Sequence, residues 1–302
     1  MFITKPDPYL LPCYRISPFK TNDLVINHLL PDSDRIDDYF NERFKGRDYL
    51  YTENGRKAIN LALQELELKK DDVVTILTTS GNFYISGCVT AEIEKFCKWS
   101  GDILPETKVL FVNHEFGFPY ENIKELKKYG LPIIEDLANT FYSCESDGNT
   151  GNIGDYVIYS FPKIFPLQAG GLLVANDLTK VKTKYKIEGG LLRHIKNALS
   201  KYIDNGEQII EKRLENYEYL KSKFSELGFP ERFKVEKGVM PGVFMFKTEG
   251  SGIDLPDLKK HFYAHGIQCS VFYGEEAFFI PVHQALKKED LDYFVEVMRS
   301  YL

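Results

Sequence analysis

Residues 131–173 constrain the fold more than any other stretch, because two short apolar runs within them each lead to a chemically useful side chain. The stretch reads LPIIEDLANTFYSCESDGNTGNIGDYVIYSFPKIFPLQAGGLL. A short apolar run that stops abruptly at polar residues is typical of a buried parallel strand. Asp136 ends the first run, and Lys163 follows the second after a short turn. Since ligands bind beyond the carboxyl ends of strands in open α/β sheets, we expect both side chains to face one crevice.

The same stretch resembles the DegT/DnrJ/EryC1/StrS family of pyridoxal-phosphate (PLP) sugar aminotransferases. Members of that family carry Glu-Asp-Ala-Ala-Gln, then Ser-Phe, a lysine, and a Gly-Gly pair seven and eight residues beyond the lysine. This chain has Glu-Asp-Leu-Ala-Asn at 135–139, then Ser160-Phe161, Lys163 and Gly170-Gly171. The resemblance implies an α/β fold of type I among PLP-dependent transferases, the aspartate aminotransferase superfold.

By this resemblance four side chains contact the cofactor. Lys163 forms the Schiff base with PLP, Asp136 pairs with the pyridine nitrogen, Asn139 stands where the family's Gln contacts the ring hydroxyl, and Ser160 touches the phosphate. The chemistry asks for the first two residue types independently. A carboxylate near the ring nitrogen favours the protonated ring by roughly 4 kcal/mol at an effective dielectric of about 20. A lysine desolvated by aromatic, proline and aliphatic neighbours is a neutral nucleophile and later a base.

Simpler interpretations of the same residues remain open. An aspartate at a strand end most often caps a helix or forms a turn, so Asp136 alone does not indicate a ligand. A single lysine is usually a solvated surface group, and Lys163 alone does not indicate catalysis. The order, spacing and flanking residues together favour the cofactor site over both.

A second motif predicts a phosphate site near residue 55. Asn54-Gly55 opens a predicted amphipathic helix, and backbone N–H groups at a helix start bind anions, with Arg56 as a charged donor. The family has Gly-Thr at this point, where the backbone grips the cofactor phosphate, and Gly55-Arg56 resembles it with Arg in the Thr position. Any helix that begins with glycine and a basic residue looks similar, so the motif is weak by itself.

Two further residues follow predicted strands. By resemblance to the family's stacking aromatic, Phe83 packs against the cofactor ring, with Tyr84 as the second choice. Phe83 in the hydrophobic core is the simpler alternative. His114 begins a segment similar to the family's His-x-x-Gly-x-Pro turn, and it either lines the crevice or supports it as a structural histidine. His261 and His265 have a metal-like spacing on a predicted helix, but without a third ligand they indicate a solvated helix end.

Composition narrows the class of protein. The chain has 302 residues and a formal charge of −6, which argues against a nucleic-acid partner. It contains no apolar run that could span a bilayer and no predicted signal segment, so we expect no membrane partner and a cytoplasmic location. Five scattered cysteines without a Cys-x-x-Cys pair are typical of reduced thiols in a cytosolic protein.

The pattern of elements predicts two domains. Residues 1–180 form a large cofactor-binding domain with a mostly parallel sheet and an N-terminal arm, and residues 181–302 form a linking helix and a smaller α/β domain. In the first domain we predict a helix over 84–99. The family's Asn-x-Arg segment, whose Asn reaches the neighbouring subunit's phosphate, is missing here, and Gly189-Gly190 begins the stretch in its place.

The resemblance implies a PLP-dependent aminotransferase that moves an amino group, from glutamate, to a nucleotide-linked keto-sugar in cell-surface polysaccharide or amino-sugar biosynthesis. Its partners would be the nucleotide-sugar, the amino-acid donor and a second subunit in a homodimer. One alternative is a PLP-dependent dehydratase or lyase of the same fold, which the missing Asn segment suggests. Another is a non-catalytic relative with a regulatory role, which purified protein that stays colourless with PLP would favour.

Overall fold

The chain folds around two β-sheets, described here from a computed structural model that covers residues 13–145 and 148–302. The seven strands of the large sheet are β1 (Asp48–Thr52), β2 (Val73–Thr78), β3 (Lys98–Ser100), β4 (Thr107–Asn113), β5 (Ile133–Asp136), β6 (Tyr156–Ser160) and β7 (Gly171–Ala175). The small sheet contains β8 (Val243–Lys247), β9 (Ser270–Val271) and β10 (Ala277–Pro281).

Nine α-helices accompany these strands in the described ranges. They are α1 (Asp23–His28), α2 (Arg35–Arg43), α3 (Gly55–Glu65), α4 (Gly87–Ile93), α5 (Thr179–Lys184), α6 (Gly189–Tyr202), α7 (Gly206–Glu226), α8 (Leu255–Ala264) and α9 (Lys288–Tyr301). Short 3-10 turns span Glu115–Gly117, Ile123–Tyr129, Phe161–Lys163 and Ile203–Asn205.

The large sheet is mostly parallel, which confirms the predicted fold class. Its strand order is β1-β7-β6-β5-β4-β2-β3, and only β7 runs against its neighbours. Strands β4, β5 and β6 are buried apolar runs covered by helices, as expected of strands with both faces in the core. Their parallel register brings the carboxyl ends of all three to one edge, where Asn113 pairs with Asp136 and Asp136 with Ile158.

A separate hydrophobic core surrounds the small antiparallel sheet, whose order is β8-β10-β9. Helix α7 joins this core to the large one, since Ile209 packs with the large-sheet aromatics and Tyr217 packs with the small sheet. Helix α6 packs against α2 in the large-sheet core, so residues as late as 209 contribute to that body. The small-sheet core includes Tyr217 on α7 and Phe118 after β4, and Tyr14 from the N-terminal segment packs against it.

The structure corrects two local predictions. The helix expected over 84–99 is limited to α4, and Trp99 lies in the edge strand β3. The Pro-rich first 30 residues predict an irregular, extended arm, but the described part of the arm contains α1. Residues 1–12 of that arm lie outside the described residues. Helix α6 occupies the stretch that begins at Gly189-Gly190, where Glu188 caps the helix by accepting from the backbone N–H groups of Gly190 and Leu191.

The histidines at 261 and 265 serve the fold. His265 Nδ1 contacts the carbonyl of His261, and His261 Nε2 contacts the carbonyl of Val297. No group of three potential metal ligands occurs among the described residues. Among the helices between residues 13 and 302 that the structure describes, none has the length and hydrophobicity of a bilayer span.

Candidate active site

A cavity of about 550 Å³ opens at the carboxyl edge of the large sheet and continues to the small domain. This size is ordinary for a small-molecule site. Six of the seven predicted site residues line it, contributed by the ends of β5 and β6, the lysine-bearing turn and the start of α3: Gly55, Arg56, Asp136, Asn139, Ser160 and Lys163. The seventh, Phe83, does not line the cavity.

Asp136 lies at the end of β5 and is almost fully buried. One carboxyl oxygen, Oδ1, accepts a hydrogen bond from the backbone N–H of Ala138 at 2.9 Å. Burial raises the pKa of this carboxyl, while the Ala138 N–H, His114 and Lys163 act in the opposite direction. Because Oδ2 has no protein donor among the described residues, it is available to a cationic N–H group of a ligand.

Lys163 ends the 3-10 turn that follows β6, and its side chain is open to the cavity. Its ammonium group has no hydrogen-bond acceptor or ion-pair partner within residues 13–145 and 148–302. The surrounding protein desolvates the amine and lowers its pKa, and the nearby Cys88 and Asp136 only partly offset this. A lysine with a lowered pKa and no partner is suited to act as a nucleophile and base.

Glu135, the acid next to Asp136, and His114 have structural roles. Glu135 is fully buried and accepts from the backbone N–H groups of Gly151, Ile153 and Gly154. His114 Nδ1 accepts from the N–H of Tyr120, so Nε2 carries the proton and donates to Glu135 at 3.2 Å. Burial acts to raise the pKa of Glu135, but His114 and the loop N–H groups outweigh it and lower that pKa. These hydrogen bonds connect the end of β5 to the end of β4 and to the loop at residues 151–154.

The start of α3 forms an anion cup beside Ser160. Asn54 caps the helix by accepting from the N–H of Lys57, which leaves the N–H groups of Gly55 and Arg56 without acceptors among the described residues. The Arg56 side chain is exposed and also lines the cavity. A Cβ at Gly55 would lie only 3.2 Å from the Ser160 Cβ, so the helix start and the Ser160 hydroxyl are in close contact. Such a cluster of N–H, hydroxyl and guanidinium donors favours a phosphate.

The Gly170-Gly171 pair allows this cup to form. A Cβ at Gly171 would lie 2.6 Å from the backbone carbon of Asn54 and 2.8 Å from the nitrogen of Gly55. The N–H of Gly170 donates to the carbonyl of Glu53 at 2.6 Å, which ties β7 to the loop before α3. Glycine at position 171 therefore has a steric reason.

The aromatic residue that lines the cavity is not the one predicted first. Phe83 is 71% exposed and lies outside the cavity, packed beside Gly274, whereas the adjacent Tyr84 lines the cavity. The ring of Tyr84 packs against Phe116 and Phe279, which belong to the boundary between the domains. Phe83 therefore neither lines the site nor lies in the hydrophobic core, and Tyr84, the second choice, is the residue that lines the cavity, because adjacent loop residues point in different directions.

Three charged residues of the cavity region are absent from the predicted site. Glu115 lines the cavity and is buried, and burial raises its pKa to about 7 against the opposing Ser80 hydrogen bonds and Arg232. Lys259 lines the small-domain wall and donates to Ser270 at 3.2 Å. Arg213 on α7 is fully buried and donates to the carbonyl of Lys163 at 2.9 Å.

The residues present fit PLP. The free carboxylate oxygen of Asp136 suits the pyridinium N–H, the unpartnered amine of Lys163 suits the aldehyde carbon, and the cup at Gly55 suits the phosphate. The side chains of Asn139 and Ser160 also have no protein hydrogen-bond partner among the described residues, which leaves them available to the ring hydroxyl and the phosphate.

Comparison with known proteins agrees with this geometry. Residues 99–194 match the model of the DegT/DnrJ/EryC1/StrS aminotransferase family. A dTDP-4-amino-4,6-dideoxy-D-glucose transaminase from Shigella dysenteriae is 28% identical over 151 residues, which cover 44% of this chain. The chain spans only 41% of the length of that curated relative.

Solved structures extend the similarity to most of the chain. The aminotransferase TlmJ from Streptoalloteichus hindustanus has a TM-score of 0.72 at 16% identity, over 92% of this chain and 94% of that one. The E. coli GDP-4-keto-6-deoxy-D-mannose-3-dehydratase, solved with bound hydrated PLP, has a TM-score of 0.69 at 15% identity, over 95% and 100%.

The fold is therefore that of the PLP-dependent aminotransferases, with a mostly parallel sheet, a lysine beyond its edge and a smaller second domain. Within that class, the family match over residues 99–194 confirms the resemblance of the central stretch to the DegT/DnrJ/EryC1/StrS aminotransferases.

Proposed function

We propose that this chain is a PLP-dependent aminotransferase that moves an amino group from glutamate to a nucleotide-linked keto-sugar. The observation that carries the proposal is the unpartnered, desolvated amine of Lys163 in one cavity with the half-satisfied carboxylate of Asp136. A primary amine at this position can bond reversibly to an aldehyde carbon, which transfer of an amino group requires.

PLP, when bound, supplies an electron sink that stabilises negative charge on the carbon beside the transferred nitrogen. Asp136 would hold the proton of the ring nitrogen with its carboxylate. Ser160, Arg56 and the start of α3 would bind the phosphate, Asn139 would contact the ring hydroxyl, and Tyr84 would lie beside the ring. Lys163 would hold the cofactor through its amine and would serve as the general base that moves a proton during the transfer.

The substrate class is inferred from charge and from the relatives. Glutamate and a nucleotide-sugar are both anionic, and the small-domain wall of the cavity carries the cation Lys259. The curated relative is named as a transaminase of a dTDP-linked amino sugar. A role in cell-surface polysaccharide or amino-sugar biosynthesis, a cytoplasmic location and a homodimer follow as parts of the same proposal.

The test is incubation of the PLP-loaded protein with 15N-labelled glutamate and a panel of nucleotide-linked 4-keto and 3-keto sugars. The proposal expects 15N in a new amino-sugar nucleotide and release of 2-oxoglutarate, both detected by mass spectrometry. Lys163→Ala should give neither product. Absence of the label from every sugar and every amino donor would contradict the proposal.

A dehydratase is the second candidate, because the E. coli neighbour of the same fold is a 3-dehydratase. The same incubation distinguishes the two reactions. A dehydratase would yield a sugar that has lost water and contains no donor nitrogen, whereas the aminotransferase product retains the 15N label.

A further inference from the structure

The turn that carries Lys163 is held by side chains from three distant parts of the chain. The lysine turn, residues 161–164, presents three consecutive backbone carbonyls to them. Ser17 Oγ donates to the carbonyl of Pro162 at 2.6 Å, Arg213 Nη2 donates to that of Lys163 at 2.9 Å, and Gln284 Nε2 donates to that of Ile164 at 2.8 Å. The backbone on both sides of the lysine is thus fixed.

Arg213 and Gln284 form one connected unit. Arg213 Nε donates to Gln284 Oε1 at 2.8 Å, and Nη1 donates to the carbonyl of Pro241 at 3.4 Å. The Gln284 amide therefore accepts from Arg213 with its oxygen and donates to the lysine turn with its nitrogen. The geometry makes the position of the lysine turn depend on both side chains.

Arg213 is an unusual residue to bury. Its side chain is fully buried, and no carboxylate of the described residues pairs with it. Burial lowers the pKa of its guanidinium to about 9. Because an unpaired buried charge is costly, a fold that keeps one uses it for geometry that an apolar side chain cannot provide.

The groups joined by Arg213 belong to both bodies of the molecule. Helix α7 packs against the large-sheet core at Ile209 and the small-sheet core at Tyr217. Pro241 lies two residues before β8, and Gln284 lies three residues after β10, so both move with the small sheet. The lysine turn follows β6 of the large sheet.

We propose that Arg213 and Gln284 form a positioning clamp that sets the place of Lys163 in the cavity according to the position of the small domain. The inference rests on the proposed function, in which Lys163 must reach the cofactor carbon. Neither residue contacts the reacting atoms, so both act through the backbone of the lysine turn. Misplacement of a reacting group by about 1 Å can cost about a hundredfold in rate.

The test compares Arg213→Met, Arg213→Lys and Gln284→Met with the matched control Asn216→Leu. Asn216 is on the same helix, is equally buried, and donates to the carbonyls of Val282 and His283 without touching the lysine turn. Loss of the Asn216 amide should weaken the contact between α7 and residues 282–284 while leaving Lys163 in place. The free energy of unfolding of each variant provides the common scale.

The first measurement needs no cofactor. Trinitrobenzenesulfonate labelling of the full chain, followed by peptide mass spectrometry, gives the pH midpoint for modification of Lys163. The titratable groups that act on this amine are Asp136 and Cys88, which none of the variants alters. The clamp predicts an upward shift of that midpoint in Arg213→Met and Gln284→Met, because a loosened turn moves the amine away from the protein groups that desolvate it.

The second measurement uses the PLP-loaded protein. The clamp predicts a fall in kcat of about a hundredfold for Arg213→Met and about tenfold for Gln284→Met, with a much smaller change in KM for glutamate. Arg213→Lys, which keeps a donor, should recover part of the loss. Asn216→Leu should match the wild type in both the labelling midpoint and kcat.

The two proposals fail in different ways. If Arg213→Met and Gln284→Met label at the wild-type midpoint, or shift only as far as Asn216→Leu does, the clamp is wrong whatever the cofactor does. If the wild type binds no PLP while the labelling midpoints shift as expected, the proposed reaction is wrong and the clamp stands.

Discussion

Asp136 is the residue whose chemistry is most separable from its structural role. Its Oδ1 accepts from the Ala138 N–H, its Oδ2 has no protein donor among the described residues, and the residue lines the cavity. An asparagine would keep the shape and the capping bond but lose the charge that keeps the pyridine nitrogen protonated. A charge pair at contact distance contributes roughly 4 kcal/mol at an effective dielectric of about 20, before desolvation.

We therefore expect Asp136→Asn to lower kcat/KM for amino transfer by up to about a thousandfold. Steady-state kinetics and the unfolding midpoint would be measured on the same preparation, with the exposed Asp102→Asn as control. A variant that keeps wild-type activity would remove Asp136 from the mechanism.

The buried Glu115 should make the stability of the folded chain depend on pH. Its pKa is raised from 4.5 to about 7 by burial, and its Oε1 has no partner among the described residues. Since the unfolded chain ionises this group more readily, its contribution to stability is complete below pH 4.5 and is lost as the pH rises to about 7. The pKa difference corresponds to a loss on the order of 3 kcal/mol.

Glu115→Gln should remove this pH dependence, so the variant should gain stability over the wild type as the pH rises from 4.5 to 7. Denaturant unfolding at several pH values would measure the difference, with the exposed Glu106→Gln as the control that follows the wild type. A constant difference between wild type and Glu115→Gln across that range would show that the buried acid does not titrate there.

At the scale of whole elements, the contact between β7 and the start of α3 shapes the phosphate cup. A methyl group at Gly171 would overlap the backbone of Asn54 and Gly55, and backbone cannot move aside as a flexible side chain can. We expect Gly171→Ala to cost about 1–3 kcal/mol of stability and to weaken PLP binding.

The control for this prediction is Gly101→Ala, since nothing lies within 4 Å of a Cβ there. That substitution should change stability by less than about 0.5 kcal/mol. Chemical unfolding and a PLP titration followed by absorbance test both variants. Equal PLP affinity in Gly171→Ala and wild type would contradict the assignment of the cup.

The elements that sequence patterns predicted are those with a strong apolar signal. The two apolar runs within residues 131–173 correspond to β5 and β6, and the predicted linking helix corresponds to the amphipathic helix α7. The edge strand β3 is exposed and only three residues long, and it was absorbed into a predicted helix. Helix α6 was missed because its two opening glycines are typical of a loop.

The site residues also fall into those that the sequence predicts and those that it does not. Asp136, Lys163 and Gly55 follow from their places at strand ends and at a helix start, which fixed rules of α/β sheets bring together. Tyr84 and Phe83 are neighbours on a loop without periodicity, so the sequence could not say which one points inward. Arg213 and Glu115 are charged residues whose complete burial depends on tertiary packing, and charge in a sequence predicts exposure.

For the molecule as a whole, cofactor binding and folding should be coupled. A ligand that binds only the folded chain adds about 2.7 kcal/mol of stability at a concentration of 100 Kd. We expect PLP to raise the thermal midpoint of the wild type. Pyridoxal without phosphate should raise it less at the same concentration, because the cup at Gly55 stays empty. Equal effects of the two compounds would place the phosphate elsewhere.

The central claim is that Lys163 is the residue that bonds to the cofactor. Borohydride reduction of the PLP-loaded protein, followed by proteolysis and mass spectrometry, reads this bond directly. We predict one phosphopyridoxyl group on the peptide containing Lys163, and its loss in Lys163→Arg. Label on any other lysine, or none in wild-type protein saturated with PLP, would contradict the assignment of this cavity as the active site.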